Sequence, residues 1–383
     1  MALSVISSQN PELQVEAPFE VEKTKRSLSH WQLMWRRFLK HRLAVCGLVV
    51  IVALYTIAVF CEFFAPLDPY LRYPQFVHAP PQRLRFVDQE GNFSLRPFVY
   101  GLKSSLDMEK FQRVYTPDYS KKYYLRFFSR GCEYKLWGKF PSNLHLFGVD
   151  EGGYLFLFGT DDLGRDVFSR IIYGTRVSLS IGLIGVFISL AIGMLLGGIS
   201  GLRGGVIDEI LQRIIELLRS VPHIPLWMGL SAALPPEWSP IKVYFGITII
   251  LSLLGWTHVA RVVRSRFLSL RNEEFVLAAY AAGASEWRII TKHLIPSFIS
   301  YVIVSVTLSV PGMILGETAL SFLGIGLRPP VISWGVLLEQ AQNISAVNTY
   351  PWLLTPAIFV ILTVLSLNFV GDGLRDAADP YSK

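Results

Sequence analysis

Leu277–Pro296 reads L-A-A-Y-A-A-G-A-S-E-W-R-I-I-T-K-H-L-I-P. It is a short helix former, a glycine, and a second amphipathic run closed by a proline. Ala278, Ala279, Ala281 and Ala282 carry strong helix propensity and a smooth face. Asn272, Glu273 and Glu274 precede them and place acidic groups near the positive end of the helix. Gly283 permits a sharp turn or a close backbone approach. Trp287, Ile290 and Leu294 are spaced to share one helix face. The stretch lies between two long apolar segments and is flanked by arginines. In that setting a structured polar loop is either a docking point for a partner or an ordinary connector, and spacing leaves both open.

The surrounding composition says what solvent the chain meets. Of its 383 residues 51% are hydrophobic and 17% charged, whereas a soluble domain carries about 25% charged residues. The excess apolar content falls in blocks close to the roughly 20 residues that cross a hydrocarbon core. Spans are expected near 43–63, 173–201, 206–233, 243–263, 297–321 and 351–371. The expected fold is thus an all-α polytopic membrane protein with about six transmembrane helices. Its parts are a cytoplasmic N-terminal segment 1–42, a first transmembrane helix 43–64, an extracytoplasmic insert 65–165 between helices 1 and 2, and a transmembrane core 166–383 that contains the loop 270–295. Leu43–Cys61 is read as a retained anchor, because about forty polar residues precede it and its apolar core is longer than that of a cleavable signal.

Orientation follows from the excess of Lys and Arg in short cytoplasmic loops. Lys23, Lys25, Arg26, Arg36, Arg37, Lys40 and Arg42 put the N-terminus inside. The inner loops hold Arg203, Arg261, Arg264, Arg266, Arg271, Arg288 and Lys292; the outer ones hold only Lys242 and Arg328. An even number of spans returns the C-terminus to the cytoplasm. W-Q-L-M-W-R-R-F-L-K, Trp31–Lys40, is amphipathic and suits the inner membrane surface. The third span is the weakest, since Asp208, Glu209, Arg213, Glu216 and Arg219 crowd its inner half and Pro222 and Pro225 interrupt it. It is expected to face the bundle interior, to be kinked, and to start in the cytoplasm.

The net charge of +7 does not indicate nucleic acid, because no basic stripe accompanies an aromatic platform. Cys46, Cys61 and Cys132 lack metal-ligand spacing; a Cys61–Cys132 bridge is not inferable, and no metal site is expected. The insert alternates as a β-rich domain should. Hairpins are expected around Gln89–Asn92, Arg130–Gly131 and Asp150–Gly153, and their aromatic residues make either a small packed core or a stacking surface. Gly193, Gly197 and Gly201 recur every fourth position, which lets helix backbones approach closely in lipid. No glycine loop ending in Lys-Ser or Lys-Thr and no paired-histidine zinc helix is present, nor a Gly-x-Ser-x-Gly elbow. The chain is therefore not expected to be an enzyme. A self-contained secondary transporter stays open, although it would not need the polar loop.

Three further segments join the loop in one pattern. They are Gly159–Leu179 (G-T-D-D-L-G-R-D-V-F-S-R-I-I-Y-G-T-R-V-S-L), Gly316–Pro330 (G-E-T-A-L-S-F-L-G-I-G-L-R-P-P) with Ser333–Trp334–Gly335 beyond, and Gly371–Pro380 (G-D-G-L-R-D-A-A-D-P). With them the chain resembles the inner-membrane permease subunits of binding-protein-dependent ABC importers, specifically the peptide/nickel branch, strongly over 160–383 and weakly over the first span. The branch's coupling motif is Glu-Ala-Ala, three residues, Gly, nine residues, Ile-x-Leu-Pro. Ala278, Ala279, Gly283 and Pro296 fall in register, while Leu277 replaces its glutamate, His293 its isoleucine and Ile295 its leucine.

The resemblance implies half of a transmembrane heterodimer in a bacterial inner membrane, with both termini cytoplasmic. Its partners would be a second homologous permease subunit, two cytoplasmic ATPase subunits that hold ATP and Mg, an extracytoplasmic solute-binding protein, and the lipid bilayer. No cofactor would be bound by this chain. Residues 274–290 would form the coupling helix, with ATPase contacts from Glu274, Leu277, Ala278, Ala279, Gly283, Ala284, Ser285 and Arg288. Peptides are the first expectation for cargo, with oligosaccharides or nickel complexes as the alternatives. Candidates for the translocation path or a gate are Glu317, His258 and Trp256. Glu317, an ionisable group near the outer end of the fifth span, would gate, contact cargo, pair with Arg328 or pack.

Overall fold

The computed structural model describes residues 29–108, 112–150 and 152–378. Lys23, Lys25 and Arg26, and the last two residues of the Gly371–Pro380 motif, lie outside the described residues. Helices α1 (His30–Lys40), α2 (Arg42–Val59) and α3 (Cys61–Phe64) lead into strands β1 (Arg85–Val87), β2 (Phe93–Asp107), β3 (Gln112–Leu136) and β4 (Phe140–Val149). Helices α4 (Val167–Arg203), α5 (Gly205–Ser220), α6 (His223–Ala232) and α7 (Pro240–Leu270) follow. Next come α8 (Glu274–Ala281), α9 (Glu286–Arg288), the π-helical turn Ile289–Leu294, α10 (Ile295–Ser297) and α11 (Ile299–Phe322). The chain ends with α12 (Trp334–Glu339), α13 (Ile344–Thr349) and α14 (Thr355–Ala378). Among the described residues, 5 helices are long and apolar enough to cross a membrane: α2, α4, α7, α11, and Pro351–Ala378, which contains α14.

The glycine seam on α4 decides how the bundle is wound. Tyr244 donates to Ser180 Oγ at 2.9 Å, and Ser252 donates to the Gly185 carbonyl at 3.0 Å. Further along, Gly193 lies on Val259, Gly197 on Ala260 and Gly201 on Phe267. Numbers rise together on both helices, so α4 and α7 run parallel. A Cβ at Gly197 would collide with the Ala260 carbonyl oxygen, so no larger residue fits the seam. α11 runs antiparallel to the pair, with Gly182 against Ile314 and Ser178 beside Glu317. On the other side Gly47 of α2 packs on Ser366 and Ala44 on Gly373 of α14. The amphipathic α1 buries Met34 and Phe38 against this second pair.

Two parallel neighbours require the chain between them to travel back the length of the bundle. Residues 204–239 do so in two pieces. Asp208 starts beside Arg264 and Ser200, Ile215 packs on Trp256 and Ala260, Trp227 closes over Gly316, and Leu234 reaches Gly246. The expected span 206–233 is therefore not one helix of membrane length. It breaks at Val221, which is extended at φ −89°, ψ 132° before Pro222. A residue before proline is pushed out of the α region, and proline itself offers no N–H to the preceding turn.

The insert is a four-stranded antiparallel meander in the order β1-β2-β3-β4. Its first turn is where the sequence puts it, because the Asp88 carboxylate accepts from the Glu90 and Asn92 amides. The expected reversal at Arg130–Gly131 is not a turn. Both flanking runs belong to the single strand β3, which takes up the irregularity as a bulge between Arg130 and Tyr134. The chain reverses instead at Trp137 and Gly138, at φ 51° and 72°; two consecutive left-handed residues match the twist of a tight hairpin. Asp150–Gly153 does turn, closed by Gly153 N–H to the Asp150 carbonyl, but residues 154–158 form no strand. A small aromatic core holds the insert, with Tyr73, Phe76, Tyr154 and Phe156 in mutual contact. Cys61 and Cys132 are free thiols.

Candidate functional site

The loop between α7 and α11 is a folded unit with two faces. α8 ends in the double hydrogen bond of a left-handed helix cap: Ala284 N–H to the Ala279 carbonyl and Gly283 N–H to the Tyr280 carbonyl. Gly283 supplies the left-handed residue at φ 77°, as such caps require. Ser285 then caps α9, its hydroxyl accepting from the Arg288 amide at 3.4 Å. The inward face is apolar: Val276, Ala279, Ile289, Ile290 and Leu294 share a core with Val263 and Phe267 of α7 and with Phe298 and Val302.

The outward face is also apolar. Leu277 is 53% and Trp287 63% exposed, with Phe275 and Tyr280 beside them. Trp287 therefore does not share the face of Ile290 and Leu294, as its spacing suggests. The π turn from Ile289 to Leu294, where Ile295 N–H reaches the Ile290 carbonyl, adds a residue per turn and rotates Trp287 outward. Of the residues singled out in the sequence, Glu274, Leu277, Ala278, Gly283, Ser285 and Arg288 are exposed, Ala284 is half-buried, and Ala279 faces inward.

One ion pair ties this unit to the bundle, and a second joins α5 to α7. Arg203, the last residue of α4, donates from Nε and Nη2 to Glu286 Oε2 at 3.0 and 2.8 Å. Asp208 of α5 accepts from Arg264 of α7 at 2.5 Å and from Ser200 of α4. Sequence reasoning missed both pairings. Their members lie 83 and 56 residues apart, and no periodicity links them.

The other candidates are dispersed. Glu317 is fully buried and takes three hydroxyl donors, Ser333 at 2.7 Å, Ser321 at 2.8 Å and Ser178 at 3.4 Å. Those hydroxyls in turn accept the amides of Val336, Leu327 and Trp334, so one carboxyl organises α4, α11 and the turn before α12. Arg328 donates to the Gly324 carbonyl instead of to Glu317. Trp256 is buried against Ile215 of α5, and His258 is exposed on α7. The Gly159–Leu179 motif forms a knot at the start of α4. Asp161 accepts from the Leu163 and Arg165 amides and the Arg165 guanidinium, Asp166 caps α4 through Ser169, and Trp352 reaches the Thr160 carbonyl.

This arrangement has known relatives. The family described as binding-protein-dependent transport system inner membrane component matches residues 193–382, which include the loop and Glu317. The N-terminal TM domain of oligopeptide transport permease C matches residues 29–81. The oligopeptide transport system permease protein OppC of Bacillus subtilis (strain 168) is 34% identical over 93% of this chain and 92% of its own. The chain belongs to this permease family. The OppC of Haemophilus influenzae is 44% identical over 60% of this chain and 72% of its own. Among solved structures, one of the inward-facing MetNI methionine ABC transporter overlaps with a TM-score of 0.44 at 18% identity, over 54% of this chain and 96% of that one, too loosely to carry weight. The permease is thus a multi-pass membrane subunit of a binding-protein-dependent ABC importer. An ATPase and a substrate-binding protein are its partners, and subunits of this family are not catalytic. A self-contained secondary transporter is thereby set aside.

Proposed function

We propose that the permease passes peptides and that α8–α9 is where a cytoplasmic ATPase grips it. The observation that carries the second part is the two-faced loop: an inward face fused to α7 and α11, and an exposed apolar face of Phe275, Leu277, Tyr280 and Trp287. An apolar patch rimmed by polar residues outside the bundle is what a protein partner covers. Leu277 stands where the family motif has glutamate, so the grip rests on shape and apolar contact. ATP and Mg belong to two ATPase subunits. Residues 205–234 make the sixth crossing as a broken span, which puts the loop and both termini on the cytoplasmic side of the inner membrane; the parallel course of α4 and α7 supports this count. A second homologous permease completes the path. The exposed stripe Ile207, Ile210, Ile214 and Leu217 on α5 supports such a neighbour, because Arg213 and Glu216, exposed on the same helix, would be costly against lipid.

Peptide cargo is supported by the oligopeptide and dipeptide permeases among its relatives. The test is uptake into proteoliposomes that hold both permeases and the ATPases, with labelled peptides, oligosaccharides and nickel complexes supplied on the solute-binding protein. Uptake of a sugar or nickel complex in preference to every peptide refutes the cargo. For the grip, Leu277→Asp with Trp287→Asp should abolish co-purification of the ATPase. Undiminished co-purification would remove the loop as the docking element.

A further inference from the structure

We infer that the β3–β4 hairpin is seated in the phospholipid headgroup layer at the end of α2, with Trp137, Phe140 and Phe128 as its anchors. The depth comes from α2. Its 18 residues rise about 27 Å at 1.5 Å each, close to the roughly 30 Å of a hydrocarbon core. Val59, its last residue, therefore marks the edge of the hydrocarbon. The final carbonyls of a helix have no partner within it, and here they are met from outside. Arg176 donates to the Ala58 and Val59 carbonyls at 2.8 and 2.9 Å, and Trp137 Nε1 donates to Val59 at 2.8 Å. The tip of the hairpin is thus bonded to the end of a span.

Its base is held by the start of α4. Phe147 of β4 packs on Phe168, the second residue of α4, with ring centroids 5.7 Å apart. Between these points Trp137 lies against Phe60 and Phe128 against Phe63. The hairpin lies across the ends of two membrane-length helices instead of standing away from them. Trp137 is nevertheless 50% and Phe140 58% exposed, and Phe128 is exposed too. Lys135 and Lys139 flank them on the exposed turn, with Glu133 nearby. Amphipathic rings are enriched at membrane–water interfaces, and lysine stems let the ammonium reach water while the chain covers apolar surface. The exposed rings continue the lipid-facing surface of α2, where Val49, Val52 and Val59 are also exposed. Lipid headgroups are therefore the occupant. The inference needs only that α2 spans the membrane; it holds whatever the cargo is and whichever way the loop couples.

The test uses the full chain with its partner permease in lipid nanodiscs. Trp137→Phe isolates the Trp137 component of the emission by difference from the other tryptophans. Phospholipids brominated near the headgroup end of the acyl chain should quench that component more than those brominated near the methyl end, and aqueous acrylamide should quench it weakly. Phe140→Trp should add a component with the same pattern, and it serves if Trp137→Phe fails to fold. Strong acrylamide quenching with no bromolipid effect would place the tip in water and overturn the inference. Protection from both quenchers would mean that protein covers it, and would overturn it equally.

Discussion

The turn at Gly283 can be tested without touching any contact of the loop. A Cβ built there meets nothing within 4 Å, yet the backbone sits at φ 77°. Any effect of substitution inside this chain must therefore come from the left-handed conformation. That conformation costs an ordinary L-residue about 1–2 kcal/mol, and asparagine visits it more readily. Placed on the cap that joins α8 to α9, such strain shifts the balance between closed and open turn by roughly 5- to 30-fold. Asparagine should consequently be tolerated best, alanine less, and β-branched valine least. The assay is uptake per ATP hydrolysed in proteoliposomes containing the whole importer. The ratio should fall in the order Gly283→Asn, Gly283→Ala, Gly283→Val, while ATPase subunits still co-purify, because Leu277 and Trp287 remain exposed. A valine variant with wild-type stoichiometry would refute the role of the turn. An order set by size, with asparagine as harmful as valine and alanine harmless, would mean a clash with the ATPase and not backbone strain.

Three further outcomes follow from the bundle. Glu317→Ala strips the acceptor from three hydroxyls, and at the ~0.6 kcal/mol average of hydrogen bonds between membrane helices plus the lost side-chain packing it should lower stability by roughly 2–4 kcal/mol. Glu317→Gln keeps an amide oxygen for Ser321 and Ser333 and should melt near wild type, as read by the Tm of the purified permease pair. Gly197→Val drives a side chain into the Ala260 backbone, so the Tm should fall by the equivalent of about 1–3 kcal/mol or more; an unchanged Tm would deny the parallel seam. Asp208→Asn takes the charge from the partner of Arg264, and the loss of charge-assisted hydrogen bonds should lower the Tm by the equivalent of about 1–3 kcal/mol; an unchanged Tm would deny that the pair holds α5 to α7.

How much of this was legible depended on the range of the interaction. The loop was readable because its signals are local: alanines, an acidic start, a glycine at the turn and a proline at the exit. Gly193, Gly197 and Gly201 announced a close approach, yet nothing in a one-dimensional pattern says that the neighbour is α7 or that it runs parallel. The fate of 206–233 was half visible, since the charges and Pro222 predicted a kink but hydropathy merged two helices into one span. The insert's second reversal was misread because Arg130–Gly131 looks like a turn, while Trp137–Gly138, with a large aromatic at positive φ, does not. Trp287 was placed on the wrong face because α-helical spacing was assumed through a segment that forms a π turn. Glu317 was noticed as an ionisable group near the outer end of a span; the three serines that satisfy it come from three separate segments and could not have been gathered from order alone.

The parallel pair also says what a push on the loop would move. The inward face of α8 and the π turn shares its core with α7, and Arg203 joins α4 to the same loop through Glu286. Because glycine backbones lock α4 against α7 along most of their length, the two cannot slide independently. A displacement of α8 therefore moves α4 and α7 together, and α11 with them through the run from Leu294 to Val302. By contrast α1, α2 and α14 form their own seam, built on Gly47 and Gly373. Interfaces of this kind repack between discrete arrangements more readily than they bend. The two groups meet where Ile314 and Val310 of α11 share a core with Val360 and Leu367 of α14, so a push on the loop passes to the second group through that shared core.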